Sequence, residues 1–285
     1  MATTRKNGSV LLLDVGNTNT KIALGRPDGP GDEYVLPTNA LETPDGFGLK
    51  TLDVCRHAGV DSADIQAWTV CSVVPPLDGM VRRACARFFG SPCLFVGKDI
   101  SVPLENRYER PGEVGADRLV TAYAARVLFD EPDLVAVDFG TATTFDCVSG
   151  RAYVGGLICP GLLSSLRALA TGTAKLPRID LTEGSKALTI GQNTVTSLSQ
   201  GMVHGFAAMV EGLKGRLGRA MGRDTILLVA TGGFSSIVAA VCPAIDHLVG
   251  NLLLQGLNGL YFDVHNIIQG EEHESDQRSM GQGDS

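Results

Sequence analysis

Two runs in the sequence place an aspartate two positions before a glycine, between apolar segments. The first is Asp14-Val15-Gly16-Asn17-Thr18-Asn19-Thr20-Lys21 and the second is Asp138-Phe139-Gly140-Thr141-Ala142-Thr143-Thr144. Glycine in such a turn lets the backbone come close to a ligand. Successive N–H groups, with the side chains of Asn17, Thr18 and Thr20, can then donate to phosphate oxygens. An aspartate there would repel phosphate unless a cation stood between them. Mg²⁺, held through one or two carboxylates and water, is the natural candidate. The other reading is an ordinary hairpin whose Asp and Asn cap the turn. One copy would favour that reading. Two copies, together with Thr231-Gly232-Gly233 after an apolar run, favour phosphate.

A third acid stands in Gly115-Ala116-Asp117-Arg118 at the start of a helical stretch, where the helix dipole favours the ionised form. It could orient a primary alcohol for attack, or it could be a helix cap with Arg118 in a surface salt bridge. The residue types alone leave both open.

Other chemistries find no support. The run Gly46-Phe47-Gly48-Leu49-Lys50-Thr51 has the wrong order for a P-loop, and no dinucleotide-binding glycine fingerprint follows a strand. Zinc-protease and α/β-hydrolase signatures are missing, and the five histidines form no cluster. The seven cysteines contain no pair two residues apart; those at 71, 93, 147, 159 and 242 lie in apolar contexts and read as structural free thiols. The formal net charge of −7 argues against nucleic acid as the main partner. No apolar run approaches the roughly 18 residues that cross a bilayer, and no secretory leader is visible, so a cytoplasmic location is expected.

These groups need elements to hold them. Short apolar runs at 10–13 and 134–137 predict strands, each returning through its glycine turn into a second strand. Residues 77–89, 117–128, 194–221 and 251–261 predict helices, and 225–229 a buried strand. The stretch 25–52 reads as a surface hairpin, and 269–285 as a disordered polar tail. Glycine is abundant, 35 of 285 residues. Gly16, Gly140, Gly155, Gly156, Gly161, Gly232 and Gly233 are expected in turns that approach a ligand.

The duplicated hairpins and the Thr-Gly-Gly turn resemble the superfamily of acetate and sugar kinases, heat-shock chaperones and actin. A finer series runs in order along the chain. It comprises Asp14-x-Gly16-Asn17-Thr18-x-x-Lys21, Cys71-Ser72-Val73-Val74-Pro75, Tyr108-x-x-Pro111-x-x-Val114-Gly115-Ala116-Asp117-Arg118 and Asp138-Phe139-Gly140-Thr141-Ala142-Thr143-Thr144. Gly155-Gly156-x-Ile158-x-Pro160-Gly161 and Ala174-x-Leu176-Pro177 follow. This series is similar to type III pantothenate kinases, which open coenzyme A synthesis.

The resemblance implies an α/β fold of two ribonuclease-H-like lobes, a duplicated actin-like ATPase core with its active site in the cleft between them. The lobes would span 10–125 and 126–268. It further implies ATP-dependent phosphorylation of pantothenate. The residues Asp14, Val15, Gly16, Asn17, Thr18, Asn19, Thr20 and Lys21 would hold the ATP phosphates, with Asp14 near Mg²⁺ and Thr141 also on ATP. Asp138 would bind a monovalent cation, K⁺ or NH₄⁺. Gly115, Ala116, Asp117 and Arg118 would line the pantothenate site, with Asp117 as general base and Tyr108 and Thr194 as further substrate contacts. A homodimer is implied, with the long helix at 194–221 as a contact surface. Two alternatives remain: a non-catalytic regulatory relative, and a kinase of the same superfamily for another small alcohol or acid.

Overall fold

The computed structural model describes residues 8–173, 176–181 and 187–265. The tail at 269–285 and part of the Ala174-x-Leu176-Pro177 run lie outside these residues. The chain divides into two compact units. One takes its described residues from Met1–Pro103, Gly115–Val120 and Leu253–Ser285, the other from Leu104–Val114 and Thr121–Leu252.

The first unit is built from β1 (Ser9–Val15), β2 (Asn19–Arg26), β3 (Gly29–Pro30), β4 (Tyr34–Pro37), α1 (Pro44–His57), β5 (Ile65–Ser72), α2 (Pro75–Phe88) and β6 (Cys93–Phe95). β1 and β2 form the antiparallel hairpin, with β3 and β4 on its far edge; β5 and β6 continue the sheet in parallel on the other side. Side chains alternate across a strand. Leu11, Leu13 and Val15 therefore join Trp68, Val70 and residues of α1 and α2 in one core cluster, while Asp14 belongs to the opposite face of β1.

The second unit contains β7 (Glu105–Asn106), β8 (Asp133–Phe139), β9 (Ala142–Ser149), β10 (Ala152–Pro160), α4 (Leu162–Gly172), α5 (Thr194–Ala220), β11 (Leu227–Thr231), α6 (Ser235–Ala239) and β12 (His247–Leu248). The helix α3 (Ala116–Leu128) divides between the units, and α7 (Leu252–Gly259) falls chiefly in the first. The sheet repeats the first one: a β8–β9 hairpin, β10 antiparallel beyond it, and β11 then β12 parallel on the other side, with β7 added outside β10. Val135, Val137 and Phe139 enter this unit's core, so Asp138 again belongs to the opposite face. Two compact units, each on a mixed sheet that opens with an antiparallel hairpin, fit the expected two-lobed α/β fold.

The stretch 25–52 is more than a surface hairpin. Its second half is the start of α1, which sends Phe47, Val54 and Cys55 into the core. Gly155 and Gly156 lie in no turn; both are inside β10, where the register with β9 shifts between Tyr153 and Gly155. All seven cysteines are free. Cys71, Cys147 and Cys242 are buried, Cys55 and Cys85 are buried as well, and Cys93 and Cys159 are partly exposed. Among the described residues no helix is long and apolar enough to cross a membrane.

Candidate functional site

Asp14 sits one residue before the end of β1, level with Lys21 on β2 and Cys71 on β5. The turn between the strands is tight: the Gly16 N–H donates to the Asn19 carbonyl at 3.1 Å. A Cβ on Gly16 would stand 2.9 Å from that oxygen, so the position requires glycine. Val15 and Thr20 are buried, with the Val15 side chain in the core, which leaves only its backbone for the turn. Asn17 and Asn19 are exposed at the tip. Lys21 pairs with Glu33 at 3.5 Å.

Thr38, which the sequence did not single out, holds this turn from outside. Its hydroxyl donates to the Gly16 carbonyl at 2.7 Å and lies 2.9 Å from the Thr20 hydroxyl. Its N–H donates to the Thr18 carbonyl at 2.9 Å. The only sequence cue was a threonine just after a short strand.

Asp117 occupies the first turn of α3. The Gly115 carbonyl accepts from the N–H groups of Arg118 and Leu119, at 3.2 and 3.3 Å, which starts the helix. The Arg118 N–H also donates to Asp117 Oδ1 at 2.9 Å. The carboxylate folds back over Gly115, where a Cβ would come within 2.3 Å of Oδ1 and 3.8 Å of the Val73 side chain. A side chain at 115 would push the Asp117 carboxylate from this position, and Val73 of the Cys71–Pro75 run lies beside it. Arg118 is buried, whereas the capping alternative would place it at the surface.

Burial pushes the Asp117 carboxyl above its ordinary value, and the Arg118 N–H and guanidinium offset part of the rise. The dipole at the helix start favoured the ionised form on sequence grounds; desolvation outweighs it. Burial also holds the Cys71 thiol well above its usual range, with further upward pressure from the charges of Asp14 and Asp117. Both carboxylates therefore act on the same buried thiol, within the first unit.

In the second unit Asp138 lies between Thr144 on β9 and Thr231 on β11. Gly232 follows at φ +94°, and a Cβ there would fall 2.2 Å from Asp138 Oδ1 and 2.7 Å from the Phe139 nitrogen. The Asp138 carboxylate and the Phe139 backbone thus pack directly against Gly232, and a side chain there would displace them. The β8–β9 turn is one residue shorter than its counterpart: Gly140 donates to Ala142 at 3.1 Å. Thr141 is exposed at its tip, and α4 secures it from behind. The Ser164 hydroxyl donates to the Thr141 carbonyl at 2.7 Å, and Gly161 approaches so closely that a Cβ would meet that oxygen at 2.1 Å.

Tyr108 rests on Tyr153, with ring centroids 6.3 Å apart, and faces Gly155. Thr194 opens α5, behind the Asn193–Thr196 capping box. The acids and turns are thus gathered within each unit: Asp14, Lys21, Gly115, Asp117 and Arg118 in the first, Asp138, Thr141 and Gly232 in the second. Among the described residues no three of His, Cys, Asp or Glu gather to hold a metal ion, so a cation here would draw on single carboxylates and ligand oxygens.

The sequence profile of the type III pantothenate kinase family matches residues 10–216. The chain belongs to that family. A type III pantothenate kinase of Nitratidesulfovibrio vulgaris strain DP4 is 52% identical over 255 residues, 89% of this chain and 97% of the relative. One from Myxococcus xanthus is 38% identical over 257 residues, covering 90% and 99%. Among solved structures, a putative 2-dehydro-3-deoxygalactonokinase from Sinorhizobium meliloti superposes with TM-score 0.55 at 10% identity, covering 90% of this chain and 96% of that one. A putative Baf family transcriptional activator from Campylobacter jejuni gives 0.54 at 16% identity, covering 90% and 100%. These two likenesses concern the fold alone.

Proposed function

We propose that this family member transfers the γ-phosphoryl group of ATP to the 4′-hydroxyl of pantothenate, with Asp117 taking the hydroxyl proton. The products are ADP, 4′-phosphopantothenate and that proton. The observation that carries the base assignment is the seating of Asp117. It is partly buried, clamped over Gly115, and raised in pKa by desolvation. A base of raised pKa takes a proton more readily, provided it is still ionised at working pH.

Phosphoryl transfer asks chiefly for in-line positioning and neutralised charge. The turn from Asp14 to Lys21 and Thr141 at the second turn would donate to the ATP phosphates. Lys21 pairs with Glu33 only at 3.5 Å, a long contact that its ammonium would give up to turn to phosphate. Gly115, Ala116, Asp117 and Arg118, with Tyr108 and Thr194, would receive pantothenate.

The residues fit the cations the reaction calls for. Asp14 offers a hard carboxylate beside a turn that admits no side chain, which suits Mg²⁺. Asp138, a carboxylate near the end of β8 beside the Thr231-Gly232 backbone, would be the ligand of a monovalent cation such as K⁺ or NH₄⁺. When bound, such ions would neutralise charge on the phosphate oxygens. The function is read as cytoplasmic and carried out by a homodimer.

A coupled ADP-release assay with ATP, Mg²⁺ and K⁺ tests this directly. Pantothenate-dependent ADP is expected, and its absence in a folded sample would overturn the reading. A faster rate with pantetheine or another small alcohol would reassign the substrate. Activity indifferent to replacing K⁺ by Na⁺ would remove Asp138 from its role.

A further inference from the structure

The substrate-contact role of Tyr108 says nothing of what holds that ring in place. Tyr108 follows the edge strand β7, which pairs with β10 at Asn106 opposite Tyr153. The Arg107 N–H donates to the Tyr153 carbonyl at 2.9 Å, and the Tyr108 N–H to Asn106 Oδ1 at 3.1 Å. The Tyr108 ring lies over the Tyr153 ring at a 44° tilt. Tyr153 is therefore both the backbone partner and the platform of the segment that presents Tyr108.

Tyr153 is in turn fixed from below. It is fully buried, and its hydroxyl donates to Asp146 Oδ1 at 3.0 Å. Asp146 is also fully buried, on the middle of β9, and its Oδ2 accepts from the Thr144 hydroxyl at 3.2 Å. Phe145 and Cys147 point into the core cluster, so the alternation of β9 puts Thr144 and Asp146 on the other face. Thr144 lies level with Asp138 on β8, so this is the face that carries the proposed cation ligand. A fully buried carboxylate costs stability unless it is paired, and an apolar residue at 146 would fill a strand position at less cost. Gly155, at φ +120°, carries β10 past the Tyr108 ring, with room for only ordinary contact.

We propose that Asp146 and Tyr153 are positioning residues for the substrate: the Asp146 carboxylate locks the Tyr153 ring, and that ring sets the orientation of Tyr108 toward pantothenate. This rests on the reading that Tyr108 contacts pantothenate. Neither Asp146 nor Tyr153 touches a reacting atom, so their loss should appear in pantothenate binding before turnover.

Steady-state kinetics of Tyr153→Phe, Asp146→Asn, Tyr108→Ala and the Tyr108→Ala/Tyr153→Phe pair decide it. Losing one buried hydrogen bond of this kind should raise KM for pantothenate about fivefold or more in Tyr153→Phe. KM for ATP and kcat should stay within about twofold. Asp146→Asn keeps an acceptor for the tyrosine hydroxyl, so its KM should fall between those of Tyr153→Phe and the parent. In the Tyr108→Ala background, Tyr153→Phe should add nothing. A parental pantothenate KM in Tyr153→Phe, or equal losses in KM for both substrates and in kcat, would overturn the positioning role. If Tyr153→Phe does not fold, a parental pantothenate KM in Asp146→Asn overturns it instead. Tyr108→Ala alone tests the underlying reading: an unchanged pantothenate KM there removes Tyr108 from the site and the platform with it.

Discussion

An aspartate side chain in an unfolded chain titrates near 3.8, and in this fold the burial of Asp117 moves it upward. Between those two values the native state holds a proton that the unfolded state has lost. Stability therefore falls as pH rises through that window, and the full cost is in place above it. The group suited to take the proton is thus a net burden on the fold at neutral pH. Asp117→Asn keeps the shape and removes the charge. Its turnover should drop by about 100-fold or more, while its melting temperature at neutral pH rises above the parent's. The acid limb of kcat/KM in the parent should lie above the ordinary aspartate value. Parental turnover with an unchanged melting temperature would leave Asp117 as a structural acid at the start of α3.

At the scale of elements, the hairpins and the helices α2, α3 and α5 were legible because their apolar periods are uninterrupted and their turns are marked by glycine and asparagine. Helix α1 was not, because Gly46 and Gly48 in its first turns resemble loop chemistry. Its signal lay just before them: Thr43 accepts from the Gly46 N–H at 3.0 Å as an N-cap, with Pro44 and Asp45 following. Gly48 is there for packing, since a Cβ would collide with the Phe88 ring of α2 at 2.2 Å. The candidate site divides in the same way. Asp14, Asp117 and Asp138 could be read from local patterns, whereas Thr38 and the Asp146–Tyr153 pair depend on strand neighbours that no local pattern records. Gly161 shows how an element serves a site residue at a distance in sequence. Its approach to the Thr141 carbonyl lets the start of α4 brace the second turn. Gly161→Ala must displace one or the other, because a backbone oxygen cannot move aside as a side chain can. We expect kcat/KM for ATP to fall on the order of tenfold to a hundredfold, with KM for pantothenate little changed. An unaffected ATP dependence would detach Thr141 from the nucleotide.

For the whole molecule, the homodimer proposed above can be argued from α5. Gly201, Gly205, Ala208, Gly212 and Gly215 recur at three- and four-residue steps, and all are exposed. Beside Gly201, Gly205 and Gly212 a Cβ would meet nothing within 4 Å. Each glycine inside a helix costs about 0.5–1 kcal/mol relative to alanine, so Gly201, Gly205, Gly212 and Gly215 together cost about 2–4 kcal/mol. A face that only met water would gain from alanine at every one of them. A second helix packed against that face would instead require their smallness, because bare backbone lets two axes approach closely. Exposed Leu188 and Ile190 just before the helix and Val195 in its first turn add apolar surface that a partner would cover. Sedimentation velocity separates the two accounts. If the stripe is the contact, the parent sediments as a dimer and Gly205→Leu as a monomer of unchanged secondary structure, because the new side chain blocks close approach. Gly205→Ala would remain a dimer, since one methyl group can be taken up by a small shift of the axes. A Gly205→Leu dimer as tight as the parent would move the contact elsewhere. A parent that stays monomeric at micromolar concentration would reject the dimer and leave the glycines of α5 without a packing role.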